Sequence, residues 1–186
     1  MTIPEQVRPA YEHWECFLEE CVDFCLKTSD KHTKEHCKRV LLYCLLIADQ
    51  KCLPAEEWDI LCTAAVFHDS RRQDDWMDVG HGQRAADYYQ EFCKVNDLPF
   101  QQRCYDVIAY HDRDDQMGIE AIRSRVPQEP DTVLLYQIFK DADALDRFRL
   151  GPCGFDPKYL RTDEARNLTD YAKKVWESCR LAEWSV

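Results

Sequence analysis

Glycine is scarce in this chain, 5 in 186 residues. A fold rich in β-turns needs more of it, so the shortage favours helices. No apolar run approaches the ~20 residues of a membrane span, and residues 1–15 are polar, so neither a spanning helix nor a signal peptide is expected. No CxxC pair occurs among the 11 cysteines, which removes the short spacings of a structural zinc site. Their odd number in a chain this large also speaks against a disulfide framework. Cys37, Cys44, Cys62 and Cys104 sit among Val, Leu and Ile at helical spacing and read as small core hydrophobes in a reducing, cytoplasmic setting. Positive charge is outnumbered as well: 24 Lys and Arg against 35 Asp and Glu leave a net charge of −11. Duplex nucleic acid and anionic membrane surfaces are repelled on average, and an anionic substrate must meet a local cluster of cations.

What is present reads as one all-α domain, 1–186. A chain of this length buries roughly 70% of its unfolded surface. Helices are expected over about 5–27, 33–49, 55–68, 83–95, 99–111, 117–124, 131–149 and 163–182. The first carries Trp14, Phe17, Cys21 and Phe24 on one face. His36, Val40, Tyr43 and Ile47 line a face of the second, which Thr33 caps. Trp58, Leu61, Ala65 and His68 share the third. Cys104, Val107 and His111, and then Tyr136, Phe139 and Asp143, form the inner stripes of two later helices. Pro127 and Pro130 break the chain before the latter. "DSRRQDDWMDVGHG", residues 69–82, is a polar loop straight after a buried histidine, where binding groups tend to sit. Trp176 and Trp184 on the last helix point to packing within or between chains, so an oligomer is one option.

The metal-capable residues on apolar faces or beside that loop are His36, His68, Asp69, His81, His111 and Asp143. One histidine at a helix end is ordinarily a satisfied core residue. A carboxylate on an apolar face costs several kcal/mol unless paired or metal-bound, and helical bundles bind metals through such inward-facing residues. His13 and His32 lie in polar surroundings and read as surface residues. Imidazole and carboxylate donors suit Mn, Fe, Co, Ni or Zn, as one or two ions. Cations for an anionic substrate are Arg39, Arg71, Arg72, Lys140 and Arg147, with Arg39 and Arg72 favoured for a two-pronged grip on phosphate. Asp74, Asp75 and Asp78 are candidate acids or bases in the loop.

The order of these residues carries more than their number. "HCKRV" at 36–40, "HD" at 68–69 and "DADALD" at 141–146 resemble the HD superfamily of metal-dependent phosphohydrolases. That pattern is a His at a helix start, an adjacent His-Asp pair, and a later Asp with Leu two residues on, here Asp143 and Leu145. "GHGQRAA" at 80–86 and "IAYHD" at 108–112 resemble further His-bearing segments of its two-metal branches. The likeness covers about residues 33–150. It implies an HD-type helical bundle in which Asp69 bridges two ions, with His36, His68 and Asp143 on one and His81 and His111 on the other. The short spacing from His68 leaves His81 a second role, as a contact to the substrate phosphate. It implies hydrolysis of a small phosphorylated metabolite, a nucleotide or other phosphomonoester, by a metal-activated water, with Asp69, Arg72 and Asp78 as catalytic residues. A di-iron oxygenase and a non-catalytic signalling domain of the same fold are the alternatives.

Overall fold

The computed structural model describes residues 3–29, 32–127, 131–151 and 153–183, with side chains described as far as Cys179. Among the described residues there is no strand, and the chain is a stack of α-helices: α1 Arg8–Cys21, α2 Lys34–Gln50, α3 Ala55–Phe67, α4 His81–Val95, α5 Gln102–Tyr110, α6 Asp115–Arg123, α7 Thr132–Leu145, α8 Asp163–Asn167 and α9 Thr169–Glu183. None is long and apolar enough to cross a membrane.

Helix α2 is the spine. Twelve of its residues are buried, from His36 to Ala48, because both of its flanks are covered, by α3 on one side and α7 on another. Thr33 caps it, accepting a hydrogen bond from the His36 amide, and that cap fixes where His36 enters the core. Helix α3 is apolar nearly all round, as a central helix must be. Its last residue, Phe67, sits among Phe17, Tyr88, Tyr89 and Phe92 at ring-centroid distances of 5.2–6.2 Å, so the turn that carries His68 and Asp69 is clamped by aromatic packing. Helices α4 and α5 pair closely, with Gly82 at the crossing. Cys37, Cys44, Cys62 and Cys104 are buried free thiols, as expected.

Three elements differ from the expectation. Helix α1 stops at Cys21, with Val22 extended. Phe24 is buried outside the helix and Cys21 is exposed. The backbone there finds other partners: the Cys25 amide donates to the Ser70 carbonyl at 2.9 Å and the Asp23 amide to the Tyr88 hydroxyl at 3.3 Å. Helix α7 ends at Leu145, and Asp146–Leu150 tightens into a 3₁₀ turn. The last helix is two, broken at the buried Leu168, so that Ala165 and Ala172 both pack into the core. Trp176 is half-buried, 5.4 Å beneath the Arg39 guanidinium; Trp184 lies outside the described residues, as does Pro130.

Candidate metal centre

The turn after α3 presents Asp69 to histidines from four directions. Its Oδ2 lies 3.6 Å from His36 Nε2 and 3.9 Å from His68 Nε2. Its Oδ1 lies 3.1 Å from His81 Nε2 and 3.8 Å from His111 Nε2. His36 comes from the first turn of α2, His68 from the end of α3, His81 from the start of α4 and His111 from the end of α5. Two groups able to hold a cation result, His36–His68–Asp69 and Asp69–His81–His111, every member buried. Asp143, on α7, lies 3.3 Å from His36 Nε2 and at 32% exposure is the most open of the six expected ligands. All six are thus brought together.

The donor chemistry tests whether a cation fits. Each imidazole spends its Nδ1 on an acceptor. His36 Nδ1 meets Asp146 Oδ2 at 2.7 Å, His68 Nδ1 the Ala65 carbonyl at 2.9 Å, His81 Nδ1 the Asp78 carbonyl at 2.6 Å and His111 Nδ1 the Ile108 carbonyl at 2.7 Å. Those partners only accept, so in the neutral ring the proton is on Nδ1 and Nε2 is a bare lone pair. Yet the Nε2 atoms face each other in pairs, His36 with His68 at 3.2 Å and His81 with His111 at 2.8 Å. Two lone pairs so close repel unless a proton or a metal ion lies between them. Two imidazole nitrogens about 2.1 Å from one ion at tetrahedral or octahedral angles stand roughly 3.0–3.4 Å apart, close to both observed separations. The residues could hold a metal ion, and the two sets share Asp69.

The electrostatics agree. Burial drives His68 down to about 3, with the nearby His111 and His36 adding to the shift and Asp69 opposing it, so His68 is neutral at pH 7. Burial would raise Asp69, but the surrounding histidines, His68 first and then His111, His32 and His81, hold it well below the usual carboxylate range. Asp143 is likewise held low: burial opposes, and His36 with Arg149 outweighs it. His81 is pushed up, its burial outweighed by Asp69 and the Asp78 carbonyl.

The expected cations divide. Arg72 is at the site. Its Nη1 lies 3.7 Å from Asp69 Oδ1 and 3.2 Å from His81 Nε2, while Nη2 donates to the Trp76 carbonyl at 2.6 Å and Nε to the Asp74 carbonyl at 3.3 Å. Arg39 instead grips Asp146 with Nε and Nη2 at 2.6 and 3.0 Å, behind His36. Lys140 ties α7 to the end of α5 by donating to the His111 and Arg113 carbonyls at 2.9 and 2.7 Å. Arg147 donates to the Gly154 carbonyl at 2.9 Å. Arg71 lies over the Tyr88 ring, 3.3 Å from its centroid. Asp78 is held by Arg84 at 2.6 Å on both oxygens and by the Gln73 amide at 2.7 Å, so its carboxylate is a loop lock. Asp141 holds Thr162, the residue that caps α8, accepting from its amide and hydroxyl at 2.7 and 2.8 Å.

Three residues join the site unforeseen. Asp146 orients His36; its placement three residues after Asp143 on the helical stripe was the available signal. Arg149, only 6% exposed, stands 3.6 Å from Asp146 Oδ2. His32, expected at the surface, places Nδ1 2.8 Å from Asp69 Oδ2 and is 12% exposed; nothing in its local sequence marks it. Comparison with known proteins returns no match to any family profile, to any curated protein or to any solved structure.

Proposed function

We propose that the chain is a metal-dependent hydrolase of HD type, acting on a phosphoester of a small anionic metabolite such as a nucleotide or another phosphomonoester. The observation that carries this reading is the pairing of four Nε2 lone pairs about the two oxygens of Asp69. A divalent ion held there lowers the pKa of bound water towards ~7 and polarises a phosphoryl oxygen. The protein's own groups do the rest. Asp69 supplies one oxygen to each set and His36, His68, His81 and His111 supply nitrogen donors. Arg72 is fixed by the Asp74 and Trp76 carbonyls with Nη1 turned to Asp69. A guanidinium so pre-oriented binds a phosphate oxygen at little entropic cost. Arg149 adds positive charge on the side of Asp143, so the local field opposes the net −11 of the chain.

Purified protein loaded with Mn, Fe, Co, Ni or Zn and offered nucleotides and phosphomonoesters is expected to release phosphate in a metal-dependent manner. The release is lost in Asp69→Ala, and KM rises in Arg72→Ala. Turnover of none of the compounds overturns the reading. The completeness of the second set, His81 with His111, also supports the oxygenase alternative, which requires two irons. Elemental analysis separates them, since one manganese or zinc per chain removes the oxygenase.

A further inference from the structure

We propose that His32 is a positioning residue of the metal centre, the hydrogen-bond donor that fixes the orientation of the shared Asp69 carboxylate. The inference rests on the metal reading above. Among the described residues, the 2.8 Å contact from His32 Nδ1 is the shortest to that carboxylate. With a metal ion held, the four histidines of the two sets would keep their protons on Nδ1 and turn their Nε2 lone pairs to the ion, so none of them would donate to Asp69. Arg72, at 3.7 Å, is beyond hydrogen-bond range. His32 alone has Nδ1 facing the carboxylate, and an Nδ1–H there donates to Oδ2. A carboxylate that serves two sets must hold its plane, because rotation moves Oδ2 and Oδ1 off their histidines together. Ligating carboxylates are ordinarily held by such an outer hydrogen bond, and losing one typically costs 10–100-fold in metal affinity.

The chain is built to deliver this donor. His32 precedes α2, in the link from α1, and that link is fastened to the turn bearing Asp69. The Cys25 amide donates to the Ser70 carbonyl at 2.9 Å, Arg71 Nη1 to the Asp23 carbonyl at 2.6 Å, and the Ser29 hydroxyl bonds to Asp75. Ser29 Oγ in turn accepts from the His32 amide at 2.7 Å. Asp75 therefore anchors His32, a structural role for an acidic residue of the loop.

Cobalt(II) titration of the purified chain, read by visible absorption, tests the role in wild type, His32→Ala, His32→Asn and His32→Gln. An Asn amide nitrogen occupies the place of Nδ1; a Gln amide reaches that of Nε2. Wild type is expected to take up cobalt. H32A and H32Q are expected to bind about 10–100-fold more weakly with altered absorption bands, and H32N to recover most of the loss. Unchanged affinity and bands in H32A overturn the role, as does an H32N as weak as H32A. Should H32A not fold, H32N against H32Q decides on the same criterion. A wild type that binds no cobalt overturns the metal centre and this role with it, whereas wild-type uptake with an indifferent H32A overturns His32 alone.

Discussion

His36 Nδ1 and Asp146 Oδ2 lie 2.7 Å apart at the base of the site, both side chains withdrawn from solvent. Asp146 also accepts the two-pronged grip of Arg39, whose other side Trp176 covers. Burial opposes the charge on Asp146, and His36 and Arg39 outweigh it. The pair thus sets both the tautomer of His36 and the neutralisation of a buried guanidinium, and it joins α9 to the candidate metal site through side chains alone.

Asp146→Ala should therefore do two things. It strands a buried Arg39, which costs about 3–5 kcal/mol when a buried pair loses one member, and it frees His36, which weakens metal binding about 10–100-fold. Thermal unfolding and metal titration of the same preparation check both. Trp176→Ala should lower stability by much less, since it leaves the ion pair intact. An Asp146→Ala protein as stable as wild type would show that Arg39 finds another partner.

The shared carboxylate makes an asymmetric prediction for stoichiometry. Asp69→Ala removes a member of both sets and should lose all bound metal while the helices persist by circular dichroism. His111→Ala touches only the His81 set, so if wild type binds two ions per chain this variant should keep one. Elemental analysis after dialysis gives the counts. Full occupancy in Asp69→Ala would sink the site assignment, and equal loss in both variants would mean that the two sets fill only together.

Acid should destabilise the ion-free protein. His68 is held down to about 3, by burial first and by His111 and His36 second, whereas an unfolded histidine titrates near 6.5. Between those values the unfolded chain binds a proton that the folded chain refuses. Stability therefore falls as pH drops from about 7 towards 3, by at most about 5 kcal/mol from this residue. Asp69, Asp143 and Asp146, all held low, add to the loss below about pH 4. His81 works the other way: its value is raised, so its contribution is present below about 6.5 and is lost as pH rises through the folded value. Urea midpoints of chelator-treated protein between pH 8 and 4 should fall on acidification, and His68→Gln should flatten the profile. A midpoint level across that range contradicts a buried neutral His68.

What was legible in the sequence follows from periodicity. His36, His68, His111 and Asp143 fall on helical stripes with apolar neighbours, so their convergence in a bundle could be read from spacing, and Asp69 and His81 came with them as loop neighbours. The direction of a cation could not. Arg39, Lys140 and Arg147 have the right charge near the right helices. Each turns to a carboxylate or carbonyl set by a register that one helix's pattern does not contain: Asp146 for Arg39, the end of α5 for Lys140, the Gly154 carbonyl for Arg147. His32 was illegible for a different reason. Its partner lies 37 positions away, and His32 stands outside any helix, where no period exists to read. The early end of α1 has the same origin, since the backbone beyond Cys21 bonds to the turn after α3.

Gly82 allows a test of how finely the second set is positioned. A Cβ there would stand 2.8 Å from the Ile108 carbonyl, 2.9 Å from Asp112 Oδ1 and 3.0 Å from the Ala109 carbonyl. Two of these are backbone of α5, which cannot swing aside as a side chain does, so Gly82→Ala must push α4 away from α5. His81 starts α4 and His111 ends α5, and the carbonyl of Ile108 is also the one that orients His111 Nδ1. Overpacking of this kind costs about 1–3 kcal/mol. The metal effect should be selective: the His81–His111 set loses its ion, while His36 and His68, on α2 and at the end of α3, keep theirs. Unfolding temperature and metal count measured together distinguish this from general damage, which would empty both sets. Full occupancy with a lowered unfolding temperature would show that the site tolerates a shift of α4.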